Sequence, residues 1–314
     1  MTPRPVYAVP LLAAVCLALV SCGGGPDGSA ATTGASTTST SAATTTTPAT
    51  SSSTSPTTSR TTATTASRAP AKVAPKPSRA TTTAPAKPTA VTSLAPVPRA
   101  GAEPTVRFPR NEPAVGAGAN ASVTPVPDAV WERMVGVSWT AGCPVGRSQL
   151  RYLRVNFWGF DGKRSRGAIV VNASIADEAA AAFTRLYSLQ FRIRQMRPMD
   201  STWGRNPKGP GANDYAAMAA DNTSAFNCRY VGGAEASKVY SKHAYGTAID
   251  VNDFENPYVS DNGTVYPDRY FLSRRGPAPG VFSSSGSAAV RAFTSQGLRW
   301  GGLWNHPDYQ HFDR

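Results

Sequence analysis

Hydrophobic and polar positions change character sharply along this 314-residue chain. Tyr7 to Val20 form an apolar run behind a short head carrying Arg4. Residues 29–70 are nearly all Thr, Ser and Ala, and residues 71–125 turn to Pro, Ala and Val with scattered bases. Neither stretch has the periodic apolar residues from which a core is built. Periodicity begins near Pro127, with Val130 to Val137 as the first ordered element. Leu150 to Phe157 alternates loosely and predicts a strand, and Ala168 to Ala173 predicts a second. Ala179 to Gln190 sets Ala182, Phe183, Leu186 and Leu189 on one helical stripe, entered through Asp177 and Glu178. Phe191 to Arg197 alternates apolar with basic and reads as a strand stopped by Pro198. Residues 201–222 read as loop and Asn256 to Arg275 as irregular. Thr247 to Asn252 predicts a short strand, Ser287 to Gln296 a short helix closed by Gly297, and Leu298–Trp300 and Gln310–Phe312 two closing strands around Gly301-Gly302. Helices in blocks beside short strands predict an α+β domain over 127–314, behind a Thr/Ser/Pro/Ala-rich tether over 23–126. Treated as flexible coil, some 90 residues of tether reach roughly 50 Å.

The apolar run at the N-terminus is shorter than the ~20 residues that cross a bilayer comfortably, and Leu19-Val20-Ser21-Cys22 follows it. That tetrad resembles the bacterial lipobox, which makes residues 1–22 a lipoprotein signal and Cys22 the lipidated residue. The expected location is therefore outside the cytoplasm, anchored to the membrane by lipid and reaching the cell wall; ordinary secretion is the alternative. With Cys16 removed and Cys22 acylated, Cys143 and Cys228 remain, and in an exported domain they read as one disulfide. The net charge of +13 comes partly from the tether, where Arg60, Arg68, Lys72, Lys76, Arg79 and Lys87 meet few acids. Such a segment is drawn to anionic lipid or wall polymer. No recognition motif for nucleic acid is present, so that partner is not expected.

The chain holds three histidines, all after residue 242. His243 lies in Ser241-Lys-His-Ala-Tyr-Gly246-Thr-Ala-Ile-Asp250, and His306 and His311 lie in Trp304-Asn-His-Pro-Asp308-Tyr-Gln-His-Phe312. Two imidazoles and a carboxylate are the donors zinc accepts, and three protein ligands leave a fourth position open. The pattern Ser241-x-His243-x-x-Gly246-x-Ala248-x-Asp250, followed by Asp308-x-x-His311, resembles the D-alanyl-D-alanine carboxypeptidase family, relatives of the VanY and VanX peptidases. The likeness covers about residues 185–314 and extends to Asn222–Arg229, Asn256-Pro-Tyr258 and Trp300–Trp304.

The resemblance implies a hedgehog/DD-peptidase-like zinc fold, a small antiparallel sheet flanked by helices. It implies zinc (Zn2+) held by His243, Asp250 and His311; His306, before a proline and outside the matched motif, competes with His311 for that role and is expected behind the ligands or at the rim. Asp308 stands where the family has its catalytic carboxylate, one methylene shorter than the Glu of many relatives. Arg197 resembles the arginine that steadies the substrate carbonyl, with Arg192, Arg194 and Arg229 as competitors for that role. Arg229, Ser224 and Ser241 are the candidate substrate-binding residues. The implied activity is zinc-dependent hydrolysis of peptide bonds in peptidoglycan stem peptides, first as a D-Ala-D-Ala carboxypeptidase. An L-Ala-D-Glu endopeptidase and a non-catalytic wall-binding zinc module are the alternatives, and peptidoglycan peptides are the expected partners.

Overall fold

The computed structural model describes residues 93–96, 104 and 110–314. The expected signal, Cys22 and most of the segment expected to be tether lie outside the described residues. Among the described residues, no helix is long and apolar enough to cross a membrane.

In chain order the strands and α-helices are β1 (Glu112–Pro113), β2 (Ser122–Pro125), α1 (Asp128–Met134), β3 (Leu150–Trp158), β4 (Arg164–Asn172), α2 (Ala176–Ser188), β5 (Gln195–Met196), α3 (Asp214–Ala219) and β6 (Asn222–Thr223). They continue with β7 (Ala248–Asp250), β8 (Tyr258–Val259), β9 (Val265–Tyr266), α4 (Ala288–Thr294), β10 (Arg299–Trp300) and β11 (His311–Asp313). The mixture of helices with small, mostly antiparallel sheets is α+β.

The largest sheet runs β1-β4-β3-β2, all antiparallel. Its centre is the β3–β4 hairpin, in register from Leu150↔Asn172 to Trp158↔Arg164. Both edge strands lie before Pro127, so the sheet recruits chain from the stretch expected to be tether. Each carries a proline, Pro113 in β1 and Pro125 in β2. Proline is tolerated at a sheet edge, where no outward N–H is needed, so a proline-rich stretch can supply edge strands that its composition does not predict.

One face of the hairpin packs on α2. Ala179, Ala182, Phe183 and Leu186 are buried at i, i+3, i+4 and i+7, with Asp177 and Glu178 in the first turn where the helix dipole favours acids. Leu153, Val155, Ile169 and Val171 meet that stripe, and Phe293 of α4 and Phe312 of β11 close the core, their rings stacked 4.2 Å apart. A second cluster joins Val130 and Met134 of α1 to Leu150, Val170, Phe226 and Cys228. The Cys143–Cys228 disulfide is formed, with Cα atoms 5.9 Å apart.

Three segments within 127–314 differ from expectation, one of them Asn256–Arg275, where β8 and β9 pair as a hairpin in a stretch that reads as irregular. Of Phe191–Arg197 only Gln195–Met196 forms a ladder, parallel to β6, because the preceding residues meet only the end of β3 through an isolated bridge at Trp158. Within 201–222, a stretch that reads as loop, the short helix α3 begins where Asn213 accepts the Ala216 N–H.

Candidate metal centre and catalytic cavity

Strand β7 ends at Asp250, and β11 begins at His311 directly opposite it in an antiparallel register. Directly opposed residues project on one face with Cβ atoms about 5 Å apart, so pairing of the two strands itself brings the side chains together. The third residue, His243, arrives on a 3-10 turn over Lys242–Tyr245, where the Ser241 hydroxyl accepts the His243 N–H. Gly246 ends that turn with φ +69°, and a Cβ there would lie 2.8 Å from the Asn172 nitrogen, so a glycine is required where the turn seats against β4.

His243, Asp250 and His311 are all buried, and their ligand atoms lie within 4.8 Å of one another. His243 Nε2 stands 2.9 Å from an Asp250 oxygen and 3.3 Å from His311 Nδ1, which is 2.9 Å from the other Asp250 oxygen. On its far side His243 Nδ1 is 2.6 Å from the Ala225 carbonyl, an acceptor only. Nδ1 therefore carries a proton, which leaves Nε2 as the ring atom that faces Asp250 and His311 and can offer a lone pair there. Three acceptor groups facing one another repel unless positive charge sits among them. The 3.3 Å nitrogen separation equals the edge of a tetrahedron with bonds of about 2.0–2.1 Å, the zinc–imidazole length. The donor set and spacing fit a divalent cation of the zinc type. Burial alone would raise the Asp250 carboxyl, but the His243 and His311 imidazoles hold it far below the usual carboxylate range.

His243 and His311 form part of the wall of a cavity of about 680 Å³, with Asp250 behind them. Asp308 enters it from the turn before β11, backed by Gly301, where a Cβ would meet the Asp308 carbonyl at 2.7 Å. Asp308 Oδ1 is shielded from solvent without a hydrogen-bond partner among the described residues. Burial, with Asp250 and Asp214 adding to it against His311 and Arg229, pushes the Asp308 carboxyl up to about 7.

Of the arginines expected near the substrate, Arg229 is the one that lines this cavity, which Arg314 also borders. It pairs with Asp214 at 2.9 Å. Burial opposes its charge, but Asp214, Asp250 and Asp308 hold the guanidinium firmly protonated. Asn227 clasps the Ala212 backbone, donating to its carbonyl at 3.1 Å and accepting its N–H at 2.8 Å, which delivers Asp214 at the start of α3. The disulfide at Cys228 anchors the same segment.

Arg197 is not in this cavity. It follows the short β5 into a separate hollow, donating from Nε to Gln195 at 3.1 Å. The expectation for Arg197 came from the resemblance at Met196-Arg197-Pro198; in the structure only Gln195–Met196 of that segment are laddered, and Arg197 turns away from the cavity. Arg194 is committed to Asp221 and Glu255, and Arg192 to the Gly159 and Ala95 carbonyls. Ser224 also lies outside the cavity, its backbone bridging Asp250 in both directions at 2.9 Å. Ser241 lines the cavity as well as capping the turn, and His306 does not line it. Sequence reasoning missed Asp214 and Tyr258. Tyr258 lines the cavity, bridges Asp308 through backbone and has its phenol pushed up to about 12 by burial and Asp308. Trp304 packs against His311 with ring centroids 5.1 Å apart.

A search of curated proteins and a search of solved structures each found no match. The matched family model covers the last quarter of the chain and contains the three converging ligand residues and Asp308, but neither Arg229 nor the β3–β4 framework. That match supports a peptidase. The resemblance read from the motifs is borne out over this segment: residues 234–314 match the family described as D-alanyl-D-alanine carboxypeptidase.

Proposed function

We propose that this chain is a zinc-dependent peptidase that hydrolyses peptide bonds in peptidoglycan stem peptides, acting first on D-Ala-D-Ala ends. The observation that carries this reading is the convergence of His243, Asp250 and His311, two of which, His243 and His311, line a cavity that also receives Asp308 and Arg229. A bound zinc ion supplies an electrophile for the scissile carbonyl and makes water more acidic. His243, Asp250 and His311 are the residues that hold it, with His243 oriented by the Ala225 carbonyl.

Asp308 takes a proton from the attacking water at its unpartnered oxygen and returns it to the departing amine. A carboxyl near 7 is suited to both halves of that transfer, and positive charge in the neighbouring cradle favours the carboxylate form it needs at the start. Arg229 takes the part first expected of Arg197. Its charge at the cavity wall favours the negative charge that develops on the carbonyl oxygen. Arg229, Lys242 and Arg314 share the lining with Asp214, Glu235 and Asp308, and Lys242 is the cation there that a substrate ending in a free carboxylate would meet without a competing ion pair among the described residues. A volume of about 680 Å³ also leaves room for chain on both sides of the scissile bond, and this favours the endopeptidase as the second reading. The hedgehog/DD-peptidase arrangement and anchoring through Cys22, with delivery to the wall, belong to the same proposal.

The test is mass spectrometry of a soluble stem pentapeptide and of intact peptidoglycan after incubation with zinc-loaded protein. Loss of one alanine residue supports the carboxypeptidase, and two internal fragments support the endopeptidase. A zinc-loaded protein that releases no new amine from either substrate defeats the enzymatic reading and leaves the wall-binding module.

A further inference from the structure

A second concentration of charge lies away from the catalytic cavity, and the two hollows share no lining residue. It is a hollow of about 170 Å³ beside β1, β3 and β4. Arg133, Arg154, Arg166 and Arg197 line it, against the carboxylates of Glu112 and Asp200. Arg133 pairs with Asp200 at 2.9 Å, and Arg154 with Glu112. Arg166 is only 8% exposed, yet its guanidinium hydrogen-bonds to neutral oxygens: the Asn120 carbonyl at 3.0 Å, Asn156 Oδ1 at 3.1 Å and the Ser122 hydroxyl at 3.2 Å. Burial pulls its pKa down, with the Arg154 charge adding to that. Arg154 Nε is withdrawn from solvent without a partner among the described residues. Arg164 Nε is in the same condition in an adjoining hollow, which meets the first at Asn111 and adds Arg110 and Lys163.

A guanidinium held out of water without a carboxylate is costly, and an unsatisfied N–H adds to the cost. An anion entering the hollow relieves both. Guanidinium groups match the oxygens of phosphate in paired, charge-assisted hydrogen bonds. The volume admits a phosphate group and a few waters at about 30 Å³ each.

We propose that this hollow is a binding site for a phosphate group, held by Arg133, Arg154 and Arg166 on the face formed by β1, β3 and β4. Free phosphate, a phosphodiester polymer and a phospholipid headgroup present the same chemistry. None of the residues involved belongs to the proposed metal site, so the site stands whether or not the chain is a peptidase.

Isothermal titration of the full chain with inorganic phosphate at fixed ionic strength tests it. Saturable binding is expected, weakened by about tenfold or more in Arg133→Gln and Arg154→Gln, since each removes a charge-assisted contact. Glu112→Gln frees Arg154 from its carboxylate and is expected to tighten binding severalfold. This variant keeps the test decisive should an arginine variant fold poorly. Arg151→Gln removes the same charge from the same sheet outside the hollow, and is expected to bind like the wild type. Absence of saturable binding overturns the proposal, as does unchanged affinity in Glu112→Gln. Equal weakening by Arg151→Gln and Arg154→Gln overturns it in favour of diffuse attraction. Parallel titrations with a glycerol phosphate oligomer, and with phosphatidylglycerol against phosphatidylcholine vesicles, identify the source by which arm binds tightest and loses most in Arg154→Gln.

Discussion

Asp250 stands between two imidazoles at 2.9 Å from each, so its charge rather than its bulk is what a cation there would use. Asp250→Asn keeps the volume and removes the charge. Zinc affinity is then expected to fall by more than the roughly 10–100-fold that loss of an outer-shell partner produces, read as metal per chain after dialysis against buffered zinc. Unchanged stoichiometry would remove Asp250 from the site. Asp308 predicts a different signature. Asp308→Asn should keep its zinc and lower kcat/KM by about 10²–10⁴-fold, the usual contribution of a positioned acid–base group. In the wild type kcat/KM should rise with pH as the Asp308 carboxylate forms, along a limb below 7, because a cation in the cradle lowers the metal-free value of about 7. Stability of the metal-free protein should respond with the opposite sign. The folded state holds the Asp308 proton up to about 7, whereas the unfolded chain releases it near 3.8. Folded protein then binds more protons between those values, and Asp308 takes stability away as pH rises from about 4 to about 7. Asp250, whose carboxyl is depressed, acts in the window below its ordinary 3.8, where its stabilising effect is lost on acidification. Thermal melting in chelator across this range should show a decline above pH 4 that Asp308→Asn flattens.

The turn that carries His243 is only four residues long, so its placement rests on its two ends, the Ser241 cap and Gly246. Gly246→Ala puts a side chain into the left-handed region, which costs about 1–2 kcal/mol, and presses a methyl against the Asn172 backbone. Zinc affinity should fall with stability, because His243 moves with the turn. Gly263→Ala in the β8–β9 turn is the control: φ is +78° there too, but a Cβ meets nothing within 4 Å. A stability loss without a zinc defect is expected for Gly263→Ala, measured by denaturant titration and metal content; equal zinc defects in both would show that the close approach at Gly246 is not what seats His243. At this scale long elements were the most readable. Alternation over Leu150–Phe157 and the stripe through Phe183 and Leu186 each repeat often enough to declare a strand and a helix. Strands of two or three residues contain no full period, which is why the β8–β9 hairpin and the shortness of β5 were not legible.

Across the whole molecule, the disulfide links chain 85 residues apart and secures the segment ending in Arg229. Closing a loop of that length stabilises the fold by about 4–5 kcal/mol in the chain-entropy account. The paired change Cys143→Ser and Cys228→Ser should lower the denaturant midpoint accordingly and loosen the Arg229–Asp214 pair, raising KM more than it lowers kcat; an unchanged midpoint would show that the tie is not structural. The amino-acid sequence by itself determined the α+β composition, the two long strands and the helix that follows them, and the spacing of His243, Asp250, Asp308 and His311. Those features are written in local periodicity and in a short ordered motif, and both survive without knowledge of any distant contact. Tertiary structure alone decided which arginine shares the cavity with Asp308. Arg197 and Arg229 are equally basic in sequence, and the choice depends on where β5 stops, on Asn227 drawing Asp214 inward and on a disulfide from far upstream. It also decided that Pro113 and Pro125 sit in edge strands, because a residue's tolerance there depends on which neighbour is missing, and no local pattern records that.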